Sequence, residues 1–326
     1  MSNLETAPAE IDCENGPTAG GEPIQILEPR GVPLGGPRAM TVRRTLPQRQ
    51  RSLIGAWCFI DHYGPDDVAV TGGMTVPPHP HTGLQTVSWL FAGEIEHRDS
   101  SGSHALVRPG ELNLMTAGRG IQHSEVSTSQ TSQLHGVQLW TALPDATRHS
   151  APFFEHYVPS PVELGDATLR VFLGSLAGDH APATAFSPLV GAQIDLPAGG
   201  AVTIPTEASF EYGLLVDGGE ARLAGETIPE THLGYSSVGR TSLDLEAGSR
   251  PLRAVLIGGA PLGERIVMWW NFIGRSHEEV VQYRSEWQAD VIDGVSDDGR
   301  FGSVKGYDGR PLPAPVMPNV RLRPRD

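Results

Sequence analysis

Two short stretches constrain what this chain can become: Gly73-Met-Thr-Val-Pro-Pro-His79-Pro-His81-Thr-Gly-Leu-Gln85, and further along Gly118-Arg-Gly-Ile-Gln-His123-Ser-Glu125. Residues two apart on a β-strand face the same side. His79 and His81 therefore look one way, and so do His123 and Glu125. Two such strands laid together bring three imidazoles and one carboxylate to one point. That donor set suits one divalent transition metal, whether Fe, Mn, Co, Ni, Cu or Zn, whereas Mg and Ca prefer oxygen-only sites. A lone His-x-His in a proline-rich turn is in most chains an accident, and this chain has 12 histidines. Two same-face pairs, each beside glycine-rich turns, are harder to assign to chance.

The punctuation of the chain says what carries those pairs. With 39 glycines and 28 prolines among 326 residues, turns are frequent and long helices few. Short apolar runs between such turns favour an all-β sandwich or barrel, and the length allows two domains. A net charge of −14 opposes direct binding to nucleic acid or an anionic membrane surface. Cys13 and Cys58 cannot build a disulfide framework, the amino terminus lacks a signal-peptide pattern, and no apolar stretch spans a bilayer. The expectation is a soluble, cytoplasmic protein.

Taken in order, residues 1–22 read as a disordered lead-in and 23–150 as a first barrel. Thr41–Leu46 and the apolar run Ile54–Ile60 are its early strands, and His62 reads as structural because no second ligand stands beside it. Past the first pair, Val87, Trp89 and Phe91 alternate with Thr86, Ser88 and Leu90. The odd set is expected to share a face with His79, His81 and Gln85 and to wall a pocket over the metal. His97 and His104 are expected to be exposed, and His135-Gly-Val-Gln-Leu-Trp140 closes the barrel. A Pro/Ser/Glu-rich linker from about residue 144 to 163 leads to a second barrel over 151–262. There Gly200-Ala-Val-Thr-Ile-Pro-Thr206-Glu-Ala208 repeats the first frame with Thr206 and Ala208 in the histidine places, and Leu243 and Leu245 fall near those of His123 and Glu125. That barrel should bind no transition metal. In the tail, 263–326, the apolar Ile266–Ile273 must pack, and Ser276-His-Glu-Glu279 opens a helix to about Ala289.

Gly73, five residues, His79-x-His81, three residues, Gln85 and then Gly93 resembles the first cupin motif, with Gln85 where most cupins carry a glutamate. Met115-Thr-Ala-Gly-Arg-Gly-Ile-Gln-His123-Ser-Glu125 is similar to the narrower pirin pattern, and Pro78-His-Pro-His-Thr-Gly and Gln138-Leu-Trp140 strengthen the match. The resemblance is specific from about Arg38 to Trp140 and weaker to about Gln288. It implies a bicupin, two tandem double-stranded β-helix (jelly-roll) barrels with a short C-terminal helix, and His79, His81, His123 and Glu125 as metal ligands.

It also implies chemistry. Several pirins are similar to quercetin 2,3-dioxygenase, which opens the central ring of a flavonol with dioxygen and releases carbon monoxide. The expected ion is Fe(II), the partners a flavonol-like aromatic and O2, and Glu125 both ligand and base. The rival expectation is a non-enzymatic, metal-dependent regulator that binds a protein partner, such as a transcription factor or a metabolic enzyme. Third comes another cupin activity, isomerisation of a sugar or keto acid.

Overall fold

The computed structural model describes residues 22–34, 40–294 and 298–325; apart from its last residue, the expected lead-in lies outside them. The first half supplies β1 (Gln25–Leu27), β2 (Arg30–Leu34), β3 (Met40–Leu46), β4 (Trp57–Asp67), the one-turn α1 (Val68–Thr71), β5 (Thr75–His81) and β6 (Leu84–Ala92). It continues through β7 (Ile95–Asp99), β8 (His104–Val107), β9 (Leu112–Thr116), β10 (Ile121–Ser127), β11 (Gln133–Ala142) and β12 (Phe153–Tyr157). These strands form a large sheet in the order β12-β9-β6-β11-β4-β3-β2 and a small one, β5-β10-β7-β8.

The second half repeats the plan. It contributes β13 (Val162–Leu164), β14 (Ala167–Leu176), β15 (Asp179–His180), β16 (Leu189–Leu196), β17 (Ala201–Pro205), β18 (Glu211–Gly218) and β19 (Ala221–Leu223). β20 (Glu226–Ile228), β21 (Leu233–Ser236), β22 (Ser242–Ala247) and β23 (Leu252–Gly259) complete it. The large sheet runs β1-β21-β18-β23-β16-β14-β13, with β15 on β14, and the small one β17-β22-β19-β20. The chain is thus all-β: two tandem jelly-roll barrels followed by a short helix. The expected boundary at 150/151 is crossed in both directions. β1 pairs with β21 of the second barrel, and β12 pairs with β9 of the first. Each barrel borrows an edge strand from the other half, which covers an edge that would otherwise template association.

The two large sheets pack on each other. Ile60, Val87, Trp89, Leu112, Leu114, Val137 and Leu139 from the first meet Phe172, Leu173, Leu189, Leu215, Leu233, Val255 and Ile257 from the second in one buried cluster. Trp89 lies 4.7 Å, centroid to centroid, from Phe172 and donates its indole N–H to Gln193 Oε1 at 2.8 Å. Trp57 crosses the seam, its Nε1 donating to the carbonyls of Val190 at 3.1 Å and Gly258 at 3.0 Å. Full burial of a large apolar side chain stabilises by about 1.5–3 kcal/mol, so this seam is a principal source of cohesion.

The tail closes on the first barrel. β24 (Val267–Trp269) and β25 (Phe272–Gly274) form a hairpin, and Ile273 N–H donates to the Thr82 carbonyl at 3.1 Å. The turn there requires Gly83, whose φ is +68° and whose added Cβ would meet the Ile273 carbonyl oxygen at 2.4 Å. Helix α2 (His277–Glu286) is capped by Ser276, whose hydroxyl accepts from Glu279 N–H at 3.2 Å. Glu279 in turn accepts from the backbone N–H of Arg275 and of the cap residue Ser276, which completes the capping box. Val280, Tyr283 and Trp287 bury against Trp269, Trp270, Phe272 and Phe301. Beyond the helix the chain crosses the outer face of the small sheet. Leu312 N–H donates to the Pro78 carbonyl at 2.8 Å, and Gln122 donates its side-chain amide to the Gly302 carbonyl.

Because Trp89 fills the seam, Trp89→Ala should destabilise the protein by about 3–5 kcal/mol in denaturant unfolding. A loss below about 1 kcal/mol would mean that the two barrels do not depend on this contact.

Candidate metal centre

Register, not chain proximity, assembles the site. On β5 and β10, His79 stands opposite His123 and His81 opposite Ile121, and β5 carries one extra residue between Val76 and His79. That bulge falls at Pro77–Pro78, where proline costs the ladder least. On its other edge β10 sets Glu125 opposite His97 and His123 opposite Asp99, on β7. Directly opposed residues share a face, so His79, His81, His123, Glu125, His97 and Asp99, six polar side chains, point into the first barrel. All six are buried.

Three imidazoles crowd together there. Ring centroids are 5.1 Å apart for His79–His81, 4.3 Å for His79–His123 and 5.0 Å for His81–His123. Nε2 of His81 lies 3.1 Å from Nε2 of His123. Two nitrogens held at right angles, each about 2.1 Å from an ion, sit about 3 Å apart. Two overlapping triads, His79–His81–His123 and His97–His123–Glu125, each place their donor atoms within 4.8 Å of one another, and they share His123. The outward nitrogens are engaged: His79 Nδ1 faces the Pro77 carbonyl at 2.8 Å, and His123 Nδ1 faces His97 Nδ1 at 3.3 Å. The Asn271 backbone hydrogen-bonds His81. Burial lowers the pKa of His79 to about 4 and those of His81 and His123 well below the usual imidazole value. Neutral imidazoles with lone pairs turned inward are what a metal needs, so the donor set fits such an ion.

Around Glu125 stand residues the sequence reading missed. Ser88 Oγ lies 3.3 Å from Glu125 Oε1 and 3.0 Å from Gln138 Oε1. Tyr63 is fully buried, and burial with the nearby Glu125 and Asp61 charges pushes its phenol well up. His97, expected to be exposed, is buried and stacks on Phe154 at 4.7 Å. The alternation Ile95, His97, Asp99 within β7 was the signal that placed it inside. His104 is exposed as expected.

The expected pocket wall faces the other way. Val87 and Trp89 belong to the inter-barrel seam, Phe91 packs against it, and Gln85 donates its amide to Thr116 Oγ1 at 2.9 Å and to the Thr184 carbonyl at 3.0 Å. It is Ser88 and Leu90 that look into the first barrel. Parity failed because β5 and β6 lie in different sheets, joined by the turn at Gly83. Alternation does not carry across a turn. In the second barrel the register also corrects the expectation, since Ile204, not Thr206, stands opposite Leu243 as His79 stands opposite His123. Val202, Ile204, Leu243 and Leu245 fill that interior with hydrocarbon.

Two jelly rolls in tandem, one with a buried imidazole and carboxylate centre and one with an apolar interior, define a two-barrel cupin. The chain belongs to the pirin family: the pirin profile matches residues 39–141 and the pirin C-terminal cupin domain residues 191–293. It is 41% identical over 297 residues, 90% of this chain and 91% of the relative, to a Pseudomonas aeruginosa protein whose name proposes quercetin 2,3-dioxygenase activity. It is similar to the crystal structure of quercetin 2,3-dioxygenase from Acinetobacter baumannii, with a TM-score of 0.86, 36% identity, and coverage of 93% of this chain and 98% of that one. It shares its fold with the Escherichia coli pirin YhhW, whose structure is a complex with nickel(II), at a TM-score of 0.58 and 19% identity over 73% of this chain and 99% of that one.

A further cluster, His62, His135 and Asp217, ties the barrels together. Both Nε2 atoms lie 2.6 Å from Asp217 Oδ1, and Arg253 Nε donates to Oδ2 at 2.6 Å. Arg43 Nε donates to His62 Nδ1, and Arg253 Nη2 faces His135 Nδ1, each at 3.4 Å. Guanidiniums on the Nδ1 side set both rings as Nε2–H donors into the carboxylate. A metal ion there would meet two fixed cations and protonated nitrogens, so the cluster is an ionic clasp and His62 is structural. Burial raises the Asp217 carboxyl, but hydrogen bonds from His135 and His62 outweigh it and hold the pKa well below the carboxylate range. The unfolded value is about 3.9. The stability Asp217 contributes is therefore full above that pH and is lost as pH falls toward the lower folded pKa. Asp217→Asn should cost roughly 1.5–3 kcal/mol at pH 7. The gap between variant and wild-type melting temperatures should narrow below about pH 4, and a gap independent of pH would refute the charged clasp.

Proposed function

We propose that this chain holds one divalent transition-metal ion, Fe(II), on His79, His81, His123 and Glu125, and opens the central ring of a flavonol with dioxygen, releasing carbon monoxide. The observation that carries this reading is the convergence of three neutral imidazoles, their outward nitrogens engaged and His81 Nε2 3.1 Å from His123 Nε2, beside a buried carboxylate. The likeness to the Acinetobacter baumannii enzyme along 93% of this chain supports the substrate class. When bound, the ion supplies a Lewis acid for a chelating oxygen pair and a redox partner for dioxygen.

The protein's own residues supply the rest. Three neutral histidines and one carboxylate leave a divalent site with a net charge of about +1, which favours an anionic phenolate over the neutral phenol. Glu125 takes the proton of the flavonol 3-hydroxyl, making the ring electron-rich enough to react with oxygen. Ser88, 3.3 Å from Oε1, steadies that carboxylate. Tyr63 keeps its proton, so Glu125 is the base of the pair.

A second reading is favoured by burial. Each of the four donors is 1% exposed or less, which suits an ion that sets the shape of a surface for a protein partner.

Three outcomes follow. His81→Ala and His123→Ala should each lose most of the bound metal by elemental analysis, because losing one ligand opens the site; unchanged content would place the metal elsewhere. Glu125→Gln should keep more of the metal yet cut flavonol consumption by about 10²-fold or more, as removal of a general base does. With Fe(II)-loaded protein, quercetin absorbance should fall and carbon monoxide appear only when oxygen is admitted, and a flavone lacking the 3-hydroxyl should be inert. Turnover no faster than free Fe(II), or retained by Glu125→Gln, would leave the regulator reading.

A further inference from the structure

Behind His123 stands a pair that the proposed chemistry does not use directly. His97 Nε2 lies 3.1 Å from Asp99 Oδ2, and its Nδ1 lies 3.3 Å from His123 Nδ1. The other carboxylate oxygen of Asp99 is pinned by Ser101 N–H at 2.9 Å, Ser101 Oγ at 2.6 Å and Ser103 N–H at 3.1 Å. Phe154 stacks on the His97 ring. Both side chains are buried, so neither is a solvated surface group.

The partners decide where each proton sits. A carboxylate only accepts, so His97 carries its proton on Nε2 and donates it to Asp99. Its Nδ1 is then a lone pair. Among the described residues, the donor facing that lone pair is His123 Nδ1–H. His123 is left with its own lone pair on Nε2, which faces His81 Nε2 at 3.1 Å. We infer that Asp99 and His97 form a positioning relay that fixes the tautomer and ring angle of His123, presenting Nε2 to the metal. The inference rests on the proposed metal centre and deepens it. It also resolves the second triad: His97 has both nitrogens engaged and so supports a ligand without being one. The arrangement differs from that at His79, whose Nδ1 faces a fixed backbone carbonyl. His123 depends on side chains, so this ligand can be loosened by substitution without moving the strand that carries it.

The test uses the full chain, stripped with a chelator and titrated with Co(II), whose visible ligand-field bands report coordination geometry. His97→Asn keeps an oxygen acceptor where Nδ1 stands, and His97→Leu removes it; Asp99→Asn and Asp99→Leu make the same comparison one step back. Both asparagine variants should bind one equivalent within several-fold of the wild-type Kd. Both leucine variants should still bind one equivalent, but about 10–100-fold more weakly and with shifted bands. Leucine variants matching wild type in Kd and spectrum would overturn the relay. So would loss of the whole equivalent in both His97 variants while Asp99→Leu stays at wild-type affinity, since that pattern marks His97 as a ligand. Failure of the unaltered protein to take up Co(II) would strike at the metal centre itself, not at the pair behind it.

Discussion

A buried imidazole has two nitrogens, and only one can be turned toward a metal. The first barrel depends on how the other one is satisfied. His79 uses the Pro77 carbonyl, His81 the Asn271 backbone, and His123 the His97 ring. An unpartnered polar atom at this depth costs about 1–3 kcal/mol. The same hydrogen bonds that avoid this cost leave each imidazole neutral, with its lone pair toward the others. Burial helps, because it holds these rings below their ordinary pKa. The tail is part of the arrangement, since Asn271 lies in the β24–β25 hairpin turn. A segment remote in sequence thus completes the surroundings of His81.

The two barrels spend the same architecture differently. The second fills its interior with Val202, Ile204, Leu243 and Leu245, and its core is hydrocarbon. The first gives part of its interior to Ser88, Gln138, Glu125 and the histidines, which forgo some of the roughly 25 cal/mol per Å2 that apolar burial would yield. Cohesion is recovered elsewhere. The seam between the large sheets is apolar, β1 and β12 are exchanged between halves, and the clasp around Asp217 fixes their orientation. A polar centre is tolerable in the first barrel because its groups are hydrogen-bonded, while its neighbour is packed as a hydrocarbon core.

Much of this was legible in the chain. The density of glycine and proline meant that long helices would be few, and the repeated spacing of the two halves called for two barrels of one kind. His79-x-His81 and His123-x-Glu125 announced themselves because a strand's period of two is a property of the backbone, independent of what packs around it. Ile95, His97 and Asp99 carried the same signal, but without a family motif to single them out. Val87, Trp89 and Phe91 were assigned to the wrong side because their phase was carried across the Gly83 turn from one sheet into another.

The sequence by itself determined which residues share a face within each strand, that the second barrel lacks imidazoles at its centre, and that long helices would be few. Tertiary structure decided which face looks inward, which strand stands opposite which, and what occupies the far side of each side chain. Those are questions of register and sheet packing. They are answered by contacts between residues far apart in sequence, such as Trp89 with Phe172, His62 with Asp217, and Ile273 with Thr82. Local periodicity is blind to such contacts, because a strand's pleat is the same whichever of its two faces is buried against a partner.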